Sequence, residues 1–282
     1  FLRREFVIKN ILVALDGSGH SNAAIKYGIW LAKNFGAKLS GFHAVDIVLL
    51  EGPFLHDLSG SVGFEPFLNF SSKMREALEA SGKSILASFN DECDSGGIKA
   101  ETAMSFGIVS NEICEKARLA DIVVLGRRGV NAKFDYGLLG SVAESVIRKS
   151  PVPVFITPER FGVPSNPLLC YDGSPNAAKV IHSAAQFAKT LSMPLTVLHA
   201  SKEPSDSVLK EAEGYLKPYG IKANFVAIKG DPAAGIKRYY SENNHDLLFM
   251  GVTHHSKVAE MVLGSTVEYV MRSIEGPFFL ER

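Results

Sequence analysis

Ten short apolar runs divide the chain. Five fall at 11–16, 38–45, 99–106, 121–126 and 152–156, and five more at 167–172, 194–200, 222–229, 246–251 and 277–280. Several are apolar without interruption, as in ADIVVLG at 120–126. A strand with one wet face alternates polar and apolar residues, whereas a continuously apolar strand is buried on both faces. Helical stretches lie between the runs, at 19–35, 72–93, 109–118 and 141–149. Alternation of such strands with helices predicts an α/β fold, a parallel sheet covered on both sides.

The pattern occurs twice. ILVALDGS at 11–18 resembles PLLCYDGS at 167–174, and from Asp16 to His43 the chain aligns without a gap to Asp172–His199. Ala32-Lys33 then matches Ala188-Lys189, ADIVVLG matches HDLLFMG (245–251), and GSVAESVIR (140–148) matches GSTVEYVMR (264–272). SPVPVFI (150–156) matches EGPFFL (275–280) more loosely. Landmarks in the same order indicate a duplicated domain. The expectation is two tandem doubly wound domains, 1–160 and 164–282, each a five-stranded parallel sheet flanked by helices. The division falls in the proline-rich, polar stretch TPERFGVPSNP (157–167). His43 and Gly107 are 64 positions apart but His199 and Gly230 only 31, so copy one carries 33 extra residues, mostly an insert at about 47–71. Leu49, Leu50, Phe54, Leu55, Phe64, Phe67, Leu68 and Phe70 make that insert apolar. It is expected to pack on the protein's own surface or within an oligomer; a lid or a partner-docking surface is the sharper alternative.

Composition narrows the function classes. The 282 residues are 46% hydrophobic and 21% charged, with 30 basic and 30 acidic side chains. Zero formal charge argues against a nucleic-acid binder, which shows a basic excess or patch, and makes self-association easier. Cys93, Cys114 and Cys170 form no CxxC pair, so neither a disulfide framework nor a zinc site is expected. FLRREFVIKN, the first ten residues, has no apolar stretch of signal-peptide length. No run approaches the ~18 apolar residues of a membrane span. A cytoplasmic protein without membrane contact is the expectation.

In a doubly wound sheet, ligands bind beyond the carboxyl ends of the strands, where the strand order reverses. Two loops fall there in each copy. The first is DGS, with Asp16 and Asp172 at the strand ends. Each aspartate either closes an Asx-turn or offers a carboxylate to an adenine amino group or a ribose hydroxyl. Ser174-Pro175 reads as a helix N-cap followed by proline at the first helical position. GSGHSN (17–22) falls short of a dinucleotide fingerprint, because Asn22 stands at its third glycine. The second loop is LGRRGVNAKFDYGLLGS (125–141). Gly126-x2-Gly129 follows the fourth strand, and Gly140-Ser141 opens the next helix. Glycines let a backbone approach phosphate, and a helix N-terminus favours an anion. SVAE (141–144) and STVE (265–268) also read as capping boxes, with Ser141 and Ser265 as caps. Arg127, Arg128 and Lys133 either add charge for phosphate or, the commoner case, are simply solvated. There is no G-x4-G-K-[ST] loop. His254-His255 lacks a spaced third ligand, so no metal site is expected. His43 and His199 occupy matching positions and are assigned a structural place.

Strand-DGS-helix, a glycine turn after the third strand and G-x2-G-x9-G-[ST] together resemble the universal stress protein family, over nearly the whole chain and twice. The resemblance implies an adenine nucleotide alpha hydrolase-like fold, pairing through the last strand, and binding of ATP or AMP, with or without magnesium. Carried over by position, Ala14, Leu15 and Asp16 would meet the adenine, Ala44 would line the base pocket and Gly107 would lie near the nucleoside. Leu125, Gly126, Arg128 and Gly129 would border ribose and phosphates, with Gly140, Ser141 and Val142 at the phosphate tail. The second set is Cys170, Tyr171, Asp172, Ala200, Gly230, Met250, Gly251, His254, Gly264, Ser265 and Thr266. Copy one departs by one residue, ten rather than nine separating Gly129 from Gly140. Copy two has His254 in place of the second glycine. Copy one is ranked first as the ATP site; copy two would favour AMP or bind nothing. The resemblance further implies an internal pseudo-dimer through 152–156 and 277–280, with a homodimer of chains and an unidentified protein partner beyond it. The function expected is nucleotide-dependent regulation without catalytic residues. The alternatives are an ATP-hydrolysing or adenylyl-transferring enzyme and a scaffold that binds no nucleotide. DGSGHS and DGSPNA depart from the S-G-G-x-[DS]-S loop of related ATP pyrophosphatases, which tells against the enzyme.

Overall fold

The computed structural model describes residues 7–48, 64–130, 139–252 and 263–282. Each of the ten apolar runs contains a strand. The first five are β1 (Asn10–Ala14), β2 (Lys38–Asp46), β3 (Ala100–Gly107), β4 (Ile122–Gly126) and β5 (Val154–Thr157). The second five are β6 (Pro167–Cys170), β7 (Leu195–Ser201), β8 (Ala223–Lys229), β9 (Leu247–Gly251) and β10 (Phe278–Glu281). They form one ten-stranded sheet in the order β3-β2-β1-β4-β5-β10-β9-β6-β7-β8. Pairing is parallel throughout each half. The halves join by an antiparallel pair, with Phe279 opposite Phe155 and Phe278 opposite Ile156.

Burial on both faces explains the unbroken apolar runs. Ile11, Val13, Ile122 and Val124 face one layer of helices. Leu12, Ala14, Val123 and Leu125 face the other. The first layer holds α1 (Gly19–Phe35), α2 (Phe64–Ser95), α5 (Pro175–Leu191) and α6 (Asp206–Leu216). The second holds α3 (Val109–Ala117), α4 (Ser141–Lys149), α7 (Pro232–Glu242) and α8 (Ser265–Ser273). Phe187, Phe249 and Phe279 pack with ring centroids 5.1 to 5.3 Å apart beside the seam.

Local chemistry sets the helix ends nearest the site. Ser18 caps α1 by accepting the Ser21 N–H at 3.1 Å. Ser174 caps α5 by accepting the Ala177 N–H at 3.2 Å, with Pro175 in the first turn. α1 stops at Gly36, whose φ of 59° is left-handed. α2 starts eight positions before the expected 72. Residues 49–63 of the insert lie outside the described residues, and with them the lid and docking readings. Among the described residues, no helix is long and apolar enough to cross a membrane.

Candidate functional site

In the first half the chain steps outward from β1 to β2 and β3, then returns to place β4 on the other side of β1. The crevice beyond the carboxyl ends of β1 and β4 is therefore the switch point. β1 ends at Ala14, and the Asp16 N–H donates to Ser21 Oγ at 3.2 Å rather than to a neighbouring strand. Asp16 Oδ1 accepts the Ser18 N–H at 3.0 Å, closing the Asx-turn. Its Oδ2 accepts the Val130 N–H at 3.1 Å. One carboxylate thus ties the β1–α1 loop to the glycine loop after β4. Asp172 closes the matching turn with the Ser174 N–H at 2.9 Å.

A cavity of about 400 Å³ opens there, within the usual size of small-molecule sites. Ala14, Leu15, Phe42, Ala44 and Leu125 give it apolar walls; Asp16 and Asp46 add carboxylates. Gly126, Arg128, Gly129, Gly140, Ser141 and Val142 line its other end. Eleven of the twelve residues singled out in copy one are therefore brought together. Gly107 is not among the lining residues. It ends β3 opposite Asp46, and a side chain there would run into the Glu112 carboxylate. Sequence reasoning missed the wall supplied by α2, namely Leu78, Ser81 and Ile85, because no motif ties a distant helix to the loops it covers. Asp46 had a usable signal, lying two positions beyond Ala44 on the same strand face.

Two glycines are needed for close approach. A Cβ on Gly129 would lie 2.6 Å from Asp16 Oδ2, and one on Gly126 would lie 2.6 Å from the His20 Cβ. β4 therefore passes tightly under the start of α1. His20 Nδ1 is buried there with no partner among the described residues. Burial holds the His20 pKa below its usual 6.5, partly offset by Glu159.

The capping-box reading is corrected. The N-cap of α4 is Gly140 and that of α8 is Gly264, and neither start has a side-chain cap. Ser141 and Ser265 are the first helical residues, so the capping glutamates fall one position too far along. Glu144 instead pairs with Arg148 and Glu268 with Arg272, each at 2.6 Å. Among the described residues the first-turn N–H groups of α4, at the mouth of the cavity, thus have no competing side-chain cap, a favourable arrangement for an anion.

The expectation that Arg127 is solvated is also corrected. It is 8% exposed, and burial holds its pKa down to about 10. The histidines take the structural place assigned to them. His43 Nδ1 is 2.8 Å from the Leu15 carbonyl, and His199 Nδ1 is 3.0 Å from the Tyr171 carbonyl. Each pins the second strand of its half to the loop after the first.

The second half repeats the frame with other contents. Cys170 is buried at the end of β6, and desolvation raises its thiol pKa. Tyr171 is buried and donates to Glu211 at 2.9 Å, with its pKa pushed up to about 12, chiefly by burial. Ala200 lies in β7, and Gly230 follows β8 at a φ of 138° that favours glycine. Met250 and Gly251 end β9, and Gly264, Ser265 and Thr266 begin α8. Asn176 Nδ2 donates to the Val252 carbonyl at 2.6 Å, at the start of the second loop. His254, His255 and Lys133 lie outside the described residues. Among the described residues no group of three or more His, Cys, Asp or Glu side chains could hold a metal ion.

Comparison with known proteins agrees with this architecture. Residues 8–158 and 202–280 match the Universal stress protein family. Universal stress protein Slr1230 of Synechocystis is 29% identical over 282 residues, covering 96% of this chain and 98% of its own. Universal stress protein MJ0531 of Methanocaldococcus jannaschii is 33% identical over 154 residues, 54% of this chain and 83% of its own. Among solved structures, a universal stress protein from Archaeoglobus fulgidus superposes with a TM-score of 0.75 at 24% identity, covering 98% of this chain and 97% of that one.

Proposed function

The chain belongs to the universal stress protein family, and we propose that it binds an adenine nucleotide, ATP or AMP, in the first-half cavity. The observation that carries the reading is the cavity's two-part chemistry. Apolar walls at Ala14, Ala44 and Leu125 suit a base. They run into a glycine-lined loop, Arg128 and a helix start without a side-chain cap, which suit phosphates. Asp16 and Asp46 supply acceptors for amino or hydroxyl groups, and a carboxylate is also a hard oxygen donor for magnesium carried by ATP.

The role is regulatory. Occupancy would alter the conformation of the protein or its affinity for a protein partner, as part of a stress response in the cytoplasm. A dimer of chains is the expected assembly. The second half is the weaker candidate, as Cys170 and Tyr171 stand where Ala14 and Leu15 line the first cavity. DGSGHS and DGSPNA lack the pyrophosphatase loop pattern, so turnover is not part of the proposal.

The test is to denature the purified protein, identify any released nucleotide by mass spectrometry, and titrate the stripped protein with ATP, AMP and adenosine by calorimetry. Micromolar binding of ATP or AMP that weakens in Gly129→Asp but not in Gly264→Asp supports the first-half assignment. Absence of binding by all three ligands overturns the reading. ATP turnover well above background, abolished by Asp16→Ala, would replace it with the enzymatic one.

A further inference from the structure

Arg127 lies at the start of the glycine loop, between Gly126 and Gly129, yet it is not among the residues that line the cavity. Its Nη2 crosses the β5–β10 seam and donates to the Gly276 carbonyl at 2.9 Å, and its guanidinium carbon sits 5.1 Å from the Phe278 ring centroid. The backbone of the same residue is held on both sides. Its N–H donates to the Thr157 carbonyl, and its carbonyl accepts the Gly140 N–H, both at 3.0 Å. Gly140 is the residue that caps α4. One residue thus connects the end of β5, the start of α4 and the turn before β10.

The receiving turn is confined. A side chain on residue 276 would collide with the Tyr240 hydroxyl, so Gly276 packs closely under α7. Among the described residues the other half does not return the contact. Val252 occupies the matching position and makes the matching backbone bond, its N–H to the Glu281 carbonyl at 2.8 Å. It is 1% exposed and its side chain carries no donor. Among the described residues the arm therefore occurs once, and it originates in the loop that borders the first cavity.

We propose that Arg127 is a positioning residue through which the second half sets the phosphate end of the first-half site. This rests on the nucleotide reading of that site. A long cation anchored across the seam fixes where residues 126–129 run, and with them the Gly140 amide and the Val130 amide that Asp16 holds. The first half on its own would have the loop without its anchor.

Arg127→Met keeps length and apolar contact with Phe278 but removes the donor. In the ligand-free protein, amide exchange at Val130 and Gly140 should quicken about tenfold in this variant, while Val252 exchanges as before, since local opening follows the lost bond. ATP affinity should fall about tenfold and adenosine affinity change less than about twofold, because adenosine does not reach the phosphate end. Arg127→Lys, which restores a donor, should recover part of the ATP affinity. Unchanged exchange at both amides, or equal losses for ATP and adenosine, overturns the proposal. A wild-type chain that binds neither ATP nor AMP overturns the nucleotide reading instead, and the ligand-free exchange still decides the role of Arg127. Should the variant fail to fold, the wild type decides. Saturating ATP must then slow exchange at Gly276 and Phe278, and no change there overturns the proposal.

Discussion

Gly129→Ala is the most direct challenge to the site. A Cβ on residue 129 would stand 2.6 Å from Asp16 Oδ2, where ordinary contact begins at 3.4 Å. Loop and carboxylate must separate by about 0.8 Å, the difference of those two distances. The Val130 N–H, now 3.1 Å from the same oxygen, is then carried beyond hydrogen-bond range. A hydrogen bond to a charged group contributes about 1.5–3 kcal/mol, or roughly a ten- to hundredfold change in an equilibrium constant. Val130 is 65% exposed, so water replaces part of the lost bond, and the lower end of that range applies. ATP affinity measured by calorimetry should fall about tenfold. Tm should fall by about 3–6 °C as well, since a bond worth about 1.5 kcal/mol is lost from the ligand-free native state. An alanine variant that binds ATP within about twofold of wild type would refute the idea that the Asp16 clamp shapes the phosphate loop.

Two serines that look alike in sequence should behave differently. Ser174→Ala removes a real cap and should cost about 1 kcal/mol of stability. Ser141→Ala should cost less than about 0.5 kcal/mol yet weaken ATP binding; urea titration and calorimetry on the two variants separate these outcomes. Stability should also depend on pH through His245, which is 6% exposed, has no partner for Nε2 among the described residues, and whose pKa burial holds below 6.5. The folded state keeps this ring neutral while the unfolded chain takes up a proton near its ordinary value. Stability is therefore flat above that value and declines as pH falls below it. The urea midpoint should drop between pH 7.5 and 5.5, and His245→Asn should flatten part of the drop; an identical slope in the variant would exclude His245 as a source.

Much of the architecture was legible because the signals are local and occur twice. Unbroken apolar runs mark strands buried on both faces, and α1 matches its expected span of 19–35. The recurring DGS and GS landmarks led to residues that the fold gathers at one crevice. The misses have physical causes. S-x-x-E spacing looks the same whether the serine stands at the cap or one residue inside the helix, so sequence alone places Ser141 at the cap. Only the backbone angles at Gly140 decide between them. Arg127 was read as solvated because its partners, Gly276 and Phe278, lie about 150 positions away and belong to no motif. Leu78, Ser81 and Ile85 were missed for the same reason, since α2 covers the cavity from a distant part of the chain.

When two identical subunits pair about a twofold axis, every substitution appears at both copies of the contact and must suit both. Here the two sides of the β5–β10 pair are encoded separately. A change on one side is made once, and the other side is free to keep what it had. Arg127 facing Gly276, with Val252 at the mirrored place, is an arrangement a symmetric pair of identical chains cannot adopt. Covalent duplication thus releases this interface from self-complementarity and lets its two halves diverge into unlike roles.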